Sequence, residues 1–129
     1  MFYKKNQSKK LNKQLFFNPT SEYRGTPFWA WNCKMDIEIL DEQIEYLNEM
    51  GFGGFHMHSR TGMAVPYLGE EFMNLVKFCT NKAKSKNMLA YLYDEDRWPS
   101  GTAGGFVTRN PRYRARYIEF SLNKESHFP

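Results

Sequence analysis

Three short stretches concentrate the side chains able to do chemistry. WAWN ends at Asn32, FHMHSR carries His56, His58 and Arg60, and LYDEDRW carries Asp94, Glu95, Asp96, Arg97 and Trp98. Carboxylates suit sugar hydroxyls because one ion accepts from two donors, and a positioned carboxyl can also move a proton. Trp98, in a loop beside charges, has the type and setting of a residue that stacks on a ligand. His-x-His on a strand projects both imidazoles to one side, the first half of a metal site. A third and usually a fourth ligand would still be needed, and Asp94 is the good nearby choice. GTAGG, starting at Gly101, holds three glycines without the G-x-G-x-x-G order or the lysine of a phosphate loop. Those glycines let backbone turn closely past a bound ligand. Each feature also has a plain structural reading: a solvated ion-paired loop for Asp94 to Arg97, hydrogen-bonded interior residues for His56 and His58, and core packing for Trp29 and Trp31.

Elements must carry these stretches to one place. Pro19, Gly25 and Pro27 punctuate an extended approach that delivers the aromatic run FWAW, read as a first strand. Asp36 can cap a helix whose apolar residues Ile37, Leu40, Ile44, Leu47 and Met50 form one stripe, with Gly51 as its stop. FGGFHMHS is short and apolar enough for a second strand, followed by the loop RTGMAVPYLG. A second helix is expected over about 70–87. Its stripe is Leu68, Phe72, Leu75, Val76, Cys79 and Ala83, with Glu70 and Glu71 near the positive end of its dipole and Lys82, Lys84 and Lys86 near the negative end. MLAYLY is the third strand. The separations between the three runs leave room for a crossover helix each, so the strands should lie parallel. Beyond Gly105, Asn110 and Pro111 can cap and open a helical turn, and YIEFSL alternates like a strand.

In parallel α/β folds ligands sit at the carboxyl ends of the strands, where the loops are free to vary. Alternation places Ala30 with Asn32, His56 with His58, and Leu92 with Asp94. Trp29, Trp31, Phe55, Met57, Tyr91 and Tyr93 then fall on the opposite faces, under the helices. Asn32, His58 and Asp94 are therefore expected to converge in one mouth, with Glu95, Asp96, Arg97 and Trp98 as its rim.

Composition limits the function classes. Of 129 residues, 41% are hydrophobic and 17% aromatic, which is ample material for burial and excludes a disordered chain. The net charge of +4 is concentrated in Lys4, Lys5, Lys9, Lys10 and Lys13 of an acid-free opening segment. Residues 1–16 read as a solvated basic tail and the remainder as nearly neutral, so the charge is no nucleic-acid signal. No apolar run approaches the roughly 18 residues of a membrane span, and LFF is too short for a signal-peptide core. The expectation is a cytoplasmic chain with no membrane partner. Cys33 and Cys79 lack metal-type spacing and read as free thiols.

EYRGTPFWAWN, MGFGGFHMHSRTG, YDEDRWPSGTAGG and NPRYRARY, in that order, resemble the amino-terminal part of bacterial glycoside-hydrolase-like proteins similar to the α-L-rhamnosidases of glycoside hydrolase family 106. The likeness runs over about 17–117. It implies an α/β fold, the amino-terminal fragment of a (β/α)8 TIM barrel, with three parallel strands and two crossover helices here and residues 17–129 forming a partial domain truncated at its carboxyl end. A full barrel takes roughly 250 residues. Glycosidases need two carboxyl groups flanking the scissile bond, and in such barrels these commonly come from later strands, beyond Pro129. The resemblance implies a carbohydrate substrate, no cofactor and no metal, with the remainder of the barrel as partner and little activity from this portion alone. Asp94 and Glu95 become catalytic candidates. Asn32, His58, Arg60, Asp96, Arg97 and Trp98 become substrate contacts. Two other readings stand beside this one: a metal-dependent hydrolase using His56 and His58, and a non-catalytic module that holds a sugar or a protein on Trp98 and the acidic rim.

Overall fold

The computed structural model describes residues 8–118 and 120. Its elements are α1 (Lys13–Phe17), β1 (Phe28–Trp31), α2 (Ile37–Glu49), β2 (Gly54–Ser59), α3 (Glu70–Ser85) and β3 (Leu89–Leu92), with single 3-10 turns at Ser21–Tyr23 and Pro111–Tyr113. Local chemistry sets most boundaries. Asp36 stays extended and accepts from the Glu38 amide, which satisfies one orphan donor of α2. Gly51, at φ 82°, turns the chain out of that helix. The acidic first turn and basic last turn of α3 match its dipole, although Gly69 gives it no side-chain cap.

The strands form one parallel sheet in the order β1-β2-β3. It is an open α/β sheet with interleaved helices, and β1 and β3 are its edges. The buried residues Trp31, Leu40, Ile44, Phe55, Met57, Phe72, Leu75, Cys79 and Ala83 form the core between this sheet and α2 and α3. Trp29 meets Phe55 edge-on at 5.0 Å, and Trp31 meets Phe72 at 5.7 Å. Burying each such side chain contributes about 1.5–3 kcal/mol, so this layer dominates stability. Lys82 bridges to Asp41 at 2.8 Å and Glu45 at 2.7 Å, tying α3 to α2, but half-buried pairs still screened by solvent add little. The two central glycines of FGGF answer a spatial demand: a Cβ on Gly53 would overlap the Ser21 carbonyl, and one on Gly54 the Leu89 backbone.

The register corrects one expectation. His56 lies opposite Tyr91 and Met57 opposite Leu92, so Tyr91 and Tyr93 share the face of His56 and His58, while Leu92 takes the phase of Met57. Alternation fixes phase within a strand, but the pairing across β2 and β3 fixes it between strands. The helix stripes also narrow at their ends. Ile37 of α2, its C-cap residue Met50 and Leu68 before α3 are exposed.

Within the expected tail, Asn12 accepts from the amides of Gln14 and Leu15 and starts the short α1, whose Phe16 and Phe17 are exposed. Residues 1–7 lie outside the described residues. Asn110 caps the turn at Pro111–Tyr113 through the Arg112 amide. Tyr117, Ile118 and Phe120 are in no strand, and the rest of YIEFSL lies outside the described residues. Among the described residues no helix is long and apolar enough to cross a membrane.

Candidate functional site

The sheet face turned away from the helices carries an aromatic cluster. Phe28 stands 5.3 Å from His58 and 5.7 Å from Tyr93, and His58 lies 4.1 Å from Tyr93, all between ring centroids. His56 stacks on Tyr91 at 4.7 Å. Its Nδ1 is 3.1 Å from the Thr26 carbonyl, which can only accept, so Nδ1 carries the proton. Among the described residues no three His, Cys, Asp or Glu side chains gather as a metal site requires.

Toward the carboxyl ends of the strands, Phe28, Ala30, His58, Arg60, Tyr93 and Trp98 line a recess of about 410 Å³. A larger groove of about 690 Å³ lies at the opposite end of β3, between Arg24, Lys84 and Leu89. Strand-end geometry favours the smaller recess as the site. His58 is only 8% exposed, and its Nε2 is buried without a hydrogen-bond partner among the described residues. Burial, followed by the Arg60 guanidinium, lowers its pKa below the ordinary imidazole value, with Glu95 opposing, so the ring is neutral at pH 7. Arg60 donates from Nη1 to the Trp98 carbonyl at 3.4 Å. Trp98 itself is 55% exposed at the recess wall.

The three acids have three different surroundings. Asp94 is exposed and makes no side-chain hydrogen bond among the described residues. Glu95 accepts through Oε1 from the amides of Ser100 and Gly101, each at 2.5 Å, and these bonds hold its carboxyl below the usual range. Asp96 is 4% exposed; it accepts from the Ser59 hydroxyl at 2.6 Å and pairs with Arg97 at 2.5 Å. Ser59 alternates with His58, so Asp96 reaches the helix-facing side of β2. Burial, then Asp96, Asp94 and Glu95, raises the nearby Tyr67 phenol.

Of the residues singled out in the sequence, His58, Arg60 and Trp98 meet in the recess. Glu95 supports the loop behind it, while Asp96 and Arg97 attach to Ser59. Asn32 and Asp94 do not line the recess, so the common mouth of Asn32, His58 and Asp94 is replaced by one in which Tyr93 stands beside His58. For Asp94 the physical reason is the register of β3 described above; Asn32 follows the end of β1 at Trp31 and is exposed. Phe28, Ala30, Tyr93 and Ser59 were not singled out as site residues. Phe28 and Ala30 share the alternation of the histidines across β1, which was a usable signal; Tyr93 and Ser59 required the pairing partner to be known.

No protein-family model and no curated protein sequence matches the chain. Among solved structures, a rhamnosidase from Novosphingobium sp. PP1Y is similar in fold, with a TM-score of 0.54 and 18% identity. The match covers 67% of this chain and 9% of that one. The likeness is one of backbone arrangement: this open α/β sheet resembles a small part of a rhamnosidase structure.

Proposed function

We propose that this chain contributes part of the glycoside-binding site of a barrel-type glycoside hydrolase related to the rhamnosidases. The observation that carries the reading is the position of the recess: it lies on the helix-free face of a parallel sheet, at the carboxyl ends of its strands, with Trp98 at its wall. The structural likeness to part of a rhamnosidase supports the same class. In this reading the open edges of β1 and β3 pair with further strands, which also removes the hazard of exposed sheet edges.

The chemistry follows from the lining. A pyranose presents apolar C–H faces and a polar rim, and Trp98 and Tyr93 offer ring faces for the former. Arg60 offers donors to hydroxyls, and the neutral His58 adds a polar group without a charge to desolvate. Asp94 lies outside this lining; exposed and without a side-chain hydrogen bond among the described residues, it is the carboxylate of this stretch able to accept from hydroxyls or exchange a proton with a leaving oxygen. The second carboxyl group that glycoside hydrolysis requires comes, in this proposal, from a strand outside these three.

Binding of a panel of neutral glycosides, rhamnosides included, to the full chain tests the reading by calorimetry or NMR titration. Trp98→Ala should weaken binding about tenfold, the equivalent of about 1.4 kcal/mol of lost stacking, and Asp94→Asn should weaken it by a smaller factor. An affinity unchanged by Trp98→Ala would remove the recess as the sugar site, and one unchanged by Asp94→Asn would remove Asp94 as a contact.

A further inference from the structure

We infer that Glu95 is a positioning residue: its carboxylate fixes loop 98–101 so that Trp98 stands at the wall of the recess. This loop is held at three points. At its base, the Arg97 amide donates to the Ser59 carbonyl at 3.2 Å, and the Ser59 hydroxyl donates to Asp96. At its middle, the Trp98 carbonyl accepts from Arg60. On its far side, the amides of Ser100 and Gly101 both converge on Oε1 of Glu95.

Trp98 lies between these ties, and among the described residues no side-chain hydrogen bond holds its half-exposed indole. The position of that ring therefore depends on where the backbone is held. The base and the Arg60 contact fix one flank only. The Ser100 and Gly101 amides donate to one carboxylate oxygen at 2.5 Å, in charge-assisted bonds far shorter than the 3.4 Å contact of the Arg60 guanidinium with the Trp98 carbonyl, so the Glu95 tie is the tighter of the two. Gly101 adopts φ 61°, and a Cβ there would meet nothing within 4 Å, so glycine serves the turn that aims its amide at Glu95. The arrangement goes beyond the glycoside reading, because it assigns Glu95 a role that needs no contact with any ligand.

Fluorotryptophan NMR on the full chain tests it. The Trp98 resonance, identified by its loss in Trp98→Phe, reports the loop, while Trp29 and Trp31 report the sheet and core. Glu95→Ala should shift the Trp98 resonance toward its solvent-exposed position and speed amide exchange at Ser100 and Gly101 at least tenfold, with Trp29 and Trp31 unmoved. Glu95→Gln keeps an acceptor oxygen in place and should restore the Trp98 position. Trp98 and the two amides unmoved in Glu95→Ala would overturn the inference, as would a displacement that Glu95→Gln fails to restore. If Glu95→Ala moves all three tryptophans, Glu95→Gln alone decides: a neutral acceptor should leave the two amides exchanging several-fold faster than in the parent, and unchanged exchange overturns the assignment. No ligand enters these measurements, so their failure is distinct from failure of the glycoside reading.

Discussion

Removing the Ser59 hydroxyl isolates the anchor at the base of the Trp98 loop. Ser59 is 1% exposed and Asp96 4% exposed, and their bond is 2.6 Å long. Ser59→Ala takes away a donor to a buried carboxylate and leaves Oδ1 of Asp96 without it, while Oδ2 keeps Arg97. A hydrogen bond to a charged group contributes about 1.5–3 kcal/mol, so about 2 kcal/mol is expected here. That corresponds to roughly a 30-fold rise in local opening. The Arg97 amide is the natural reporter because it donates to the Ser59 carbonyl at 3.2 Å. Native-state hydrogen exchange should show Arg97 exchanging about 30-fold faster, with the Arg60 amide, bonded to the Trp31 carbonyl at 3.0 Å, nearly unchanged as a report on the sheet. Combining Ser59→Ala with Asp96→Asn should cost less than the two changes summed, by about 1 kcal/mol, since each removes part of one interaction. An Arg97 response below about threefold, or equal acceleration of Arg60 and Arg97, would refute the claim that this bond anchors the loop locally.

Other outcomes follow from the same packing. Phe55, wholly buried against Trp29, should cost about 3–5 kcal/mol as Phe55→Ala; a shift in urea midpoint equivalent to less than about 1 kcal/mol would show that the sheet-helix layer is not the core. The Cys79 thiol is pushed up to about 12 by burial, so at pH 8 a thiol reagent should modify the exposed Cys33 quickly and Cys79 only after denaturation; two fast thiols would contradict its burial. His58 should titrate below 6.5 by NMR, because burial disfavours its charged form. Between the folded value and 6.5 the unfolded chain binds more protons, so stability is full above pH 6.5 and falls as pH drops below it. A His58→Gln chain should lose that part of the slope, and a His58 midpoint at or above 6.5 would refute its placement.

The elements were legible because their signals are local. FWAW became β1 without adjustment, Asp36 capped α2 as its side chain and position suggested, and the charge gradient of the second amphipathic run matched the observed α3. What local signals do not contain is the pairing between β2 and β3. There Gly54 lies opposite Leu89, in a backbone approach so close that a Cβ on Gly54 would overlap it, and this contact sets the phase of all of β3. One residue of register exchanged Tyr93 for Asp94 at the side of His58. His58, Arg60 and Trp98 were recoverable from residue type and strand-end position; Tyr93 was recoverable only from the register.

The acidic run after β3 shows why residue type alone overstated the density of ligand contacts. Consecutive residues leaving a strand serve different sides of it, so neighbouring carboxylates need not share a task. Asp96 reaches Ser59 on the helix-facing side and becomes part of the packing. Glu95 is electrostatically coupled to His58 on the opposite side, yet its oxygen is committed to the amides of Ser100 and Gly101. Asp94, exposed and unbonded among the described residues, keeps its acceptors open. A loop that must carry an exposed tryptophan at a fixed place has few apolar contacts with which to hold it, and buried or charge-assisted hydrogen bonds are the remaining means. Most of the charge following the hydrophobic strand therefore holds the loop in shape, and the recess takes its polarity chiefly from His58 and Arg60.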